Sequence, residues 1–287
     1  MKSTSIKLIL TVLFLFVSVF FAFKISELYR AKSFFTPSEI SATVKVLSRK
    51  SVFIDEDTVL KGKTVPKVIK LAFDASDSLE VAKRVMKSDY GTFTVPNGYS
   101  YTSDTETLSF FDNYTIEYSY IPSGITLEKV TSSLTDAKND EGEKAENTLT
   151  KLFFSDMDSG PYEVTMKVVR SVTLDGTVYL EAVECVDGLE IEGTRVFSAI
   201  MGSRLLFLSG TLFFAEEYSD YKTDAFDAVN ILFEIEGNSE KIEKMELVYI
   251  PVFDEKVSVY LTPSYSFVYS DGVKKIYDAT SASKRSG

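Results

Sequence analysis

Few residues in this 287-residue chain are of types that do chemistry, and their spacing limits each of them. Asp156-Met157-Asp158-Ser159-Gly160 resembles the opening of a calcium loop. An EF-hand loop wants another oxygen ligand at its fifth position, Gly at its sixth and Glu at its twelfth. Here those positions are Gly160, Pro161 and Lys167, so the stretch is expected to be a helix end and turn. Asp254-Glu255 lies between two strand-like runs and reads as a charged turn. Cys185 is the single cysteine, which excludes an intramolecular disulfide. It sits in the alternating run Tyr179 to Val186 and reads as a buried small hydrophobe, not a reactive thiol. Asn113-Tyr114-Thr115 matches the glycosylation sequon, which matters only in a eukaryotic secretory route. Tyr99, Tyr101, Tyr118 and Tyr120 could line a ligand groove, although aromatic residues in strands more often fill a core face.

The chain has no histidine, so no Ser-His-Asp or Cys-His arrangement and no His-containing zinc site can form. No Walker loop, G-x-G-x-x-G or C-x-x-C occurs. No catalytic, cofactor-binding or metal-binding residue is therefore assigned. A carboxylate pair for glycoside hydrolysis is a spatial matter. With 42 acidic residues in the chain, the presence of carboxylates carries no information about it. The net charge of −11 argues against nucleic acid as a partner.

Around these residues the sequence predicts an α+β architecture. Thr36-Pro37-Ser38-Glu39 spells a capping box with proline at the first helical position, and Ile40, Val44 and Leu47 make one apolar face. This helix should end near Lys50. Strands are expected at Ser51–Asp55 and Lys67–Phe73, followed by a helix over Ser78–Ser88 capped by Asp77. The period then changes to two. Thr92–Val95, Gly98–Thr102, Glu106–Phe111 and Tyr114–Ile121 form an antiparallel meander with turns at Pro96-Asn97-Gly98 and Asp112-Asn113.

Residues 132–147 are polar and acidic and read as an exposed connection. A helix over about Glu143–Asp156 leads into a second meander. Its strands are Tyr162–Leu174, Thr177–Val186, Thr194–Met201 and Arg204–Ala215, and its Asp175-Gly176 and Asp187-Gly188 pairs are strong hairpin signals. A helix capped by Thr223 or Asp224 runs to about Ile235, with Phe226, Val229, Leu232 and Phe233 inward. The last strands are Lys244–Pro251, Lys256–Leu261, Tyr265–Tyr269 and Val273–Tyr277. The division this implies is a tail, membrane helix and stalk over 1–33, a first α+β subdomain over 34–131, the connection over 132–147, a second α+β subdomain over 148–280 and a flexible tail over 281–287.

Leu8 to Phe23 sets the address. Its sixteen residues carry no charge and lie between Lys7 and Lys24. As a helix they span roughly 24 Å, and Ile6 and Ile25 extend the run towards the ~30 Å hydrocarbon core, giving a membrane helix over about 6–25. No A-x-A pattern follows the run, so an uncleaved anchor is preferred to a cleaved signal. Positive charges flank both ends. Long domains translocate largely regardless of charge, so the expected orientation is a cytoplasmic N-terminus with the C-terminal part outside the cell membrane.

The two ends of the chain carry a family resemblance. The start joins one uncleaved apolar segment to the stretch Leu47 to Asp55. The finish holds Glu246 to Pro251, then Leu261 to Gly272, then Ile276 to Thr280. This resembles the YycH/YycI family of extracytoplasmic proteins from Gram-positive bacteria, YycI more than YycH by length. Members often end in a Pro-x-Trp strand, an Asp-Gly turn and a strand with Asn-Ala or Asp-Ala. Pro263, Tyr265, Asp271, Gly272, Asp278 and Ala279 match that shape, with Tyr265 in place of Trp and Ser281 in place of the usual Gly.

The resemblance implies a single-pass membrane protein with no catalytic activity. It would bind and modulate the WalK/YycG sensor histidine kinase, which controls cell-wall metabolism, with membrane-helix contacts and a related accessory membrane protein as a further partner. Two other readings rest on the residues alone: an exported, membrane-anchored peptide or small-ligand binding module, and a carboxylate hydrolase of cell-wall glycans.

Overall fold

The structure is a computed structural model that describes residues 14–15, 18–21, 24, 32–71, 75–135, 142–155, 162–218, 225–237, 240–253, 259–281 and 284–285. Of the apolar run, the described residues are helical, and Phe14, Leu15, Val19, Phe20 and Phe21 are exposed. Among the described residues no helix is long and apolar enough to cross a membrane. The expected membrane helix over 6–25 lies largely outside the described residues. So do the calcium-like stretch 156–160, Asp254-Glu255 and the centre of the acidic connection, 136–141.

Helix α1 (Pro37–Arg49) starts at the predicted capping box. Glu39 N–H donates to Thr36 Oγ1 at 3.3 Å, and Thr36 N–H donates to Glu39 Oε2 at 2.6 Å. It buries Ile40, Thr43 and Leu47. Strands β1 (Phe53–Ile54) and β2 (Ile69–Leu71) follow. Helix α2 (Ala75–Val85) starts earlier than predicted and buries Val81, Ala82 and Val85. It stops short of Ser88 because the next amides, Lys87 and Ser88, turn away to the Glu106 carboxylate. The first meander is β3 (Gly91–Val95), β4 (Gly98–Thr102), β5 (Glu106–Phe111) and β6 (Thr115–Tyr120).

Helix α3 (Leu127–Thr135) occupies the start of the stretch expected to be a connection, and α4 (Glu143–Phe154) follows it. The second meander is β7 (Val164–Leu174), β8 (Thr177–Val186), the short β9 (Leu189–Glu190), β10 (Arg195–Met201) and β11 (Arg204–Thr211). Asp175-Gly176 and Asp187-Gly188 make the predicted hairpin turns, with φ of 50° and 77° at the first and 48° and 78° at the second. Then come β12 (Ala215–Tyr218), α5 (Ala228–Glu234), β13 (Lys241–Phe253), β14 (Val259–Tyr269), β15 (Lys274–Asp278) and β16 (Lys284–Arg285). Asp227 caps α5 by accepting from Asn230 N–H at 2.9 Å, not the predicted Thr223 or Asp224, which lie outside the described residues. Its buried residues are Ala228, Ile231 and Leu232, while Phe226 is exposed. β14 runs unbroken through Pro263, where two strands were expected.

The chain divides into two compact units. One comprises Lys67–Lys222 and Leu247–Ser264. The other comprises Met1–Pro66, Thr223–Glu246 and Tyr265–Gly287. The expected cut at 132–147 therefore does not separate two subdomains. The two meanders are one antiparallel sheet, joined where β6 pairs with β11 through Tyr118↔Leu208 and Glu117↔Ser209. Two half-sheets would each have left a long open edge, and pairing them removes both.

In the larger unit this nine-stranded sheet has the order β3-β4-β5-β6-β11-β10-β8-β7, with β9 beside β8. One face carries the main core, in which Val85, Leu149 and Phe153 of α2 and α4 pack with Leu108, Ile116, Leu180 and Leu208. On the other face α3 sets Val130 and Leu134 against Tyr179, Ala199 and Phe207. β2 pairs with β12 and with Val259–Leu261 of β14.

In the smaller unit β1 runs parallel to β13 through Phe53↔Lys241. The residues of the family-like ending are structural. Tyr265 is buried, Asp271-Gly272 forms the tight turn, and Asp278 Oδ1 accepts from Thr280 N–H at 2.7 Å beside the buried Ala279. Phe267 meets Tyr277 edge-on at 5.5 Å.

Candidate functional site

The buried ionisable groups come first, because burial makes them costly unless they have partners. Glu106 opens β5 and is fully buried. Its Oε2 accepts from Lys87 N–H and Ser88 N–H, each at 2.9 Å, and its Oε1 accepts from the Tyr118 hydroxyl at 2.9 Å. Arg204 Nη2 lies 3.5 Å away, with the guanidinium 3.7 Å above the Tyr120 ring centre. Burial pushes this carboxyl up, but the donated hydrogen bonds outweigh it and hold the group below the usual carboxylate range.

Glu181 on β8 accepts from Arg170 Nε at 2.5 Å and pairs with Arg195 Nε at 2.9 Å. Glu184 accepts from Phe213 N–H at 2.6 Å. These three carboxylates bind helix ends, strands and arginines together. Each serves the fold. Among the described residues no group of His, Cys, Asp or Glu could hold a metal ion. Cys185 is buried, as its alternating run predicted.

The tyrosine rings do not form the lining of a groove, and of the four only Tyr118 borders one. Tyr101 and Tyr118 are buried in the main core, and Tyr99 and Tyr120 pack against it. The Tyr101 hydroxyl is hydrogen-bonded to Ser78 Oγ at 2.7 Å. The ligand-groove expectation chose the wrong face. In a strand, neighbours point to opposite sides. The residues between the tyrosines therefore face the other way, and Ser119 among them lines one open concavity of this unit.

That concavity is a groove of about 320 Å³ on the face that also carries α3. Its floor is a grid set by strand register. Ser109 lies opposite Glu117, which lies opposite Ser209, and in the next row Thr107 lies opposite Ser119, which lies opposite Phe207. Ile125 and Leu127, at the start of α3, make an apolar side wall. Glu117 is exposed and is the one carboxylate among the lining residues. Ser109 Oγ lies 3.0 Å from Ser100 Oγ, which extends the hydroxyl row onto β4. Such a surface can hydrogen-bond a polar or cationic ligand along its length. With no imidazole in the chain, no His–hydroxyl pair can activate its serines. The signal for this face was present as the Ser and Thr residues that alternate with the aromatics of β4 to β6.

No protein-family model matches the chain, and no curated protein matches it. Two of the solved structures similar to it are as follows. One is an uncharacterized protein from Eubacterium rectale, at 12% identity and a TM-score of 0.46, covering 78% of this chain and 86% of that one. The other is the YpeB C-terminal domain of Bacillus megaterium, at 10% identity and a TM-score of 0.37, covering 76% of this chain and 97% of that one. YpeB is a different protein from YycI. None of these comparisons shows the YycH/YycI family.

Proposed function

We propose that this chain is a single-pass, membrane-anchored extracytoplasmic regulatory protein. It binds and modulates a membrane sensor histidine kinase that controls cell-wall metabolism, alone or with a related accessory membrane protein. The observation that carries this reading is the uncharged run Leu8 to Phe23, whose described side chains, such as Phe14 and Phe20, are exposed and suited to lipid or a neighbouring helix. The outer part supports it by committing its buried carboxylates to the fold. Within the run Ser18 and Ala22 stand four residues apart, a small-xxx-small pair that lets a partner helix approach closely there, while the bulky phenylalanines pack as side chains.

The test replaces Leu8 to Phe23 with an unrelated membrane helix and measures phosphorylation of the kinase's response regulator. Altered output with unchanged membrane location is expected. Unchanged output, with the outer part also dispensable, overturns the kinase reading.

The groove favours one second reading, an exported peptide- or small-ligand-binding module. Its contact residues are Ser109, Glu117 and Ser209, not the tyrosines. Lysine-containing peptides should raise the melting temperature of the wild-type chain and leave Glu117→Lys unmoved. An equal response from both proteins discards this site.

A further inference from the structure

Strand β3 is one of the two edge strands of the nine-stranded sheet, β7 being the other, and among the described residues it pairs with β4 alone. Gly91, Thr92, Phe93 and Thr94 are exposed and Val95 is half-buried. Natural sheets protect such edges with charges, prolines or bulges. β3 has none of these. It holds no ionisable residue, and its register with β4 runs without a shift from Gly91↔Thr102 to Val95↔Gly98.

The register fixes which backbone groups are free to pair. A two-residue turn, Pro96-Asn97, joins β3 to β4, so its closing pair Val95↔Gly98 is hydrogen-bonded. Phe93↔Ser100 and Gly91↔Thr102 follow by alternation. The N–H and C=O groups of Thr92 and Thr94 therefore aim at the open edge.

We propose that β3 pairs antiparallel with β3 of a second copy of this chain, with Phe93 on the two-fold axis. Thr92 of each copy then lies opposite Thr94 of the other, and their outward groups close four hydrogen bonds. Phe93 meets its counterpart in the closely spaced, non-hydrogen-bonded position, about 4.5 Å between Cα atoms, where aromatic pairs stabilise sheets.

Neighbouring registers do worse. A two-fold on Thr92 calls on Tyr90, which packs edge-on against Tyr101 at 5.6 Å. A two-fold on Thr94 brings Pro96 opposite Thr92, and proline has no N–H to donate. The paired segment is uncharged, so the repulsion expected from a net charge of −11 is absent at the contact. The symmetric arrangement is self-complementary, as a two-fold interface requires. It also runs the groove face of one copy into that of the next, since Phe93 lies opposite Ser100 and Ser100 opposite Ser109.

The test is disulfide trapping in the intact chain, which has one native cysteine, buried at 2% exposure. Under mild oxidation Phe93→Cys should give a covalent dimer on non-reducing electrophoresis, about tenfold more than Thr92→Cys or Thr94→Cys alone, because only position 93 meets itself within disulfide reach. An equal mixture of the Thr92→Cys and Thr94→Cys proteins should cross-link. Adding Thr94→Pro to Phe93→Cys removes an outward N–H without touching the β3–β4 ladder and should abolish the trapped dimer. The proposal is overturned if Phe93→Cys cross-links no better than the single threonine variants. A dimer that persists with Thr94→Pro overturns it equally.

Discussion

The hydroxyl of Tyr118, on β6, donates to Glu106 Oε1, on β5, at 2.9 Å, inside the main core. The same carboxylate takes the two amides that follow α2, so it joins a helix end to the sheet. Glu106→Ala would leave two amides, a phenol and an arginine without their acceptor. The expected cost is about 3 kcal/mol, and Tyr118→Phe should cost about 1 kcal/mol. Urea denaturation measures both. An alanine variant within 0.5 kcal/mol of wild type, as about the noise of such data, would refute the role.

The same group gives a pH dependence with a definite sign. Its folded-state pKa is held below the ordinary value of 4.5, because the donated bonds outweigh burial. Its stabilising effect is fully present above the unfolded value and fades as pH falls through the lower folded value. The stability gap between wild type and Glu106→Gln should therefore be widest near neutrality and narrow in acid. A gap that widens on acidification would contradict the sign.

Cys185 should be inert in the folded chain. Burial pushes its thiol up to about 12, with Glu190 adding to the shift. A thiol reagent at neutral pH should label it only as fast as the chain unfolds. Rapid labelling of folded protein would place the side chain elsewhere.

Gly210 lies in β11 opposite Val196, where a Cβ would come 2.0 Å from the backbone carbonyl oxygen of Arg195. Gly210→Ala must push β10 and β11 apart, at a cost of about 1–3 kcal/mol. A melting temperature equal to that of wild type would show that the strands part freely.

Thr36→Ala removes one half of the capping box of α1 and should cost about 1 kcal/mol, read by thermal melting. Thr36→Ser should restore most of it.

The local signals of this fold were legible where the chemistry was local. Thr36 to Glu39 spelled the start of α1, and the Asp-Gly pairs at 175 and 187 spelled their hairpins. α3 was not legible, because its two core residues, Val130 and Leu134, sit among polar neighbours, and its helix is stabilised by the sheet surface it covers. The joining of the two meanders was hidden for a related reason. Pairing of β6 with β11 is decided by edges that meet only in the folded chain. The groove needed only the phase of β4 to β6, which the tyrosines had already fixed: rings on one face dictate hydroxyls on the other.

The composition of the smaller unit bears on how the chain is made. Lys241 forms an ion pair with Asp55 from 186 residues further along, beside the parallel pairing of β13 with β1. During synthesis from the N-terminus, every strand of the nine-stranded sheet is made before β13 exists. α1 and β1 must stay unsatisfied throughout, with a long loop closure ahead of them. Arrest between Thr211 and Lys241 would yield a chain with all nine strands of that sheet and a stranded leading helix, a natural substrate for chaperones and quality-control proteases.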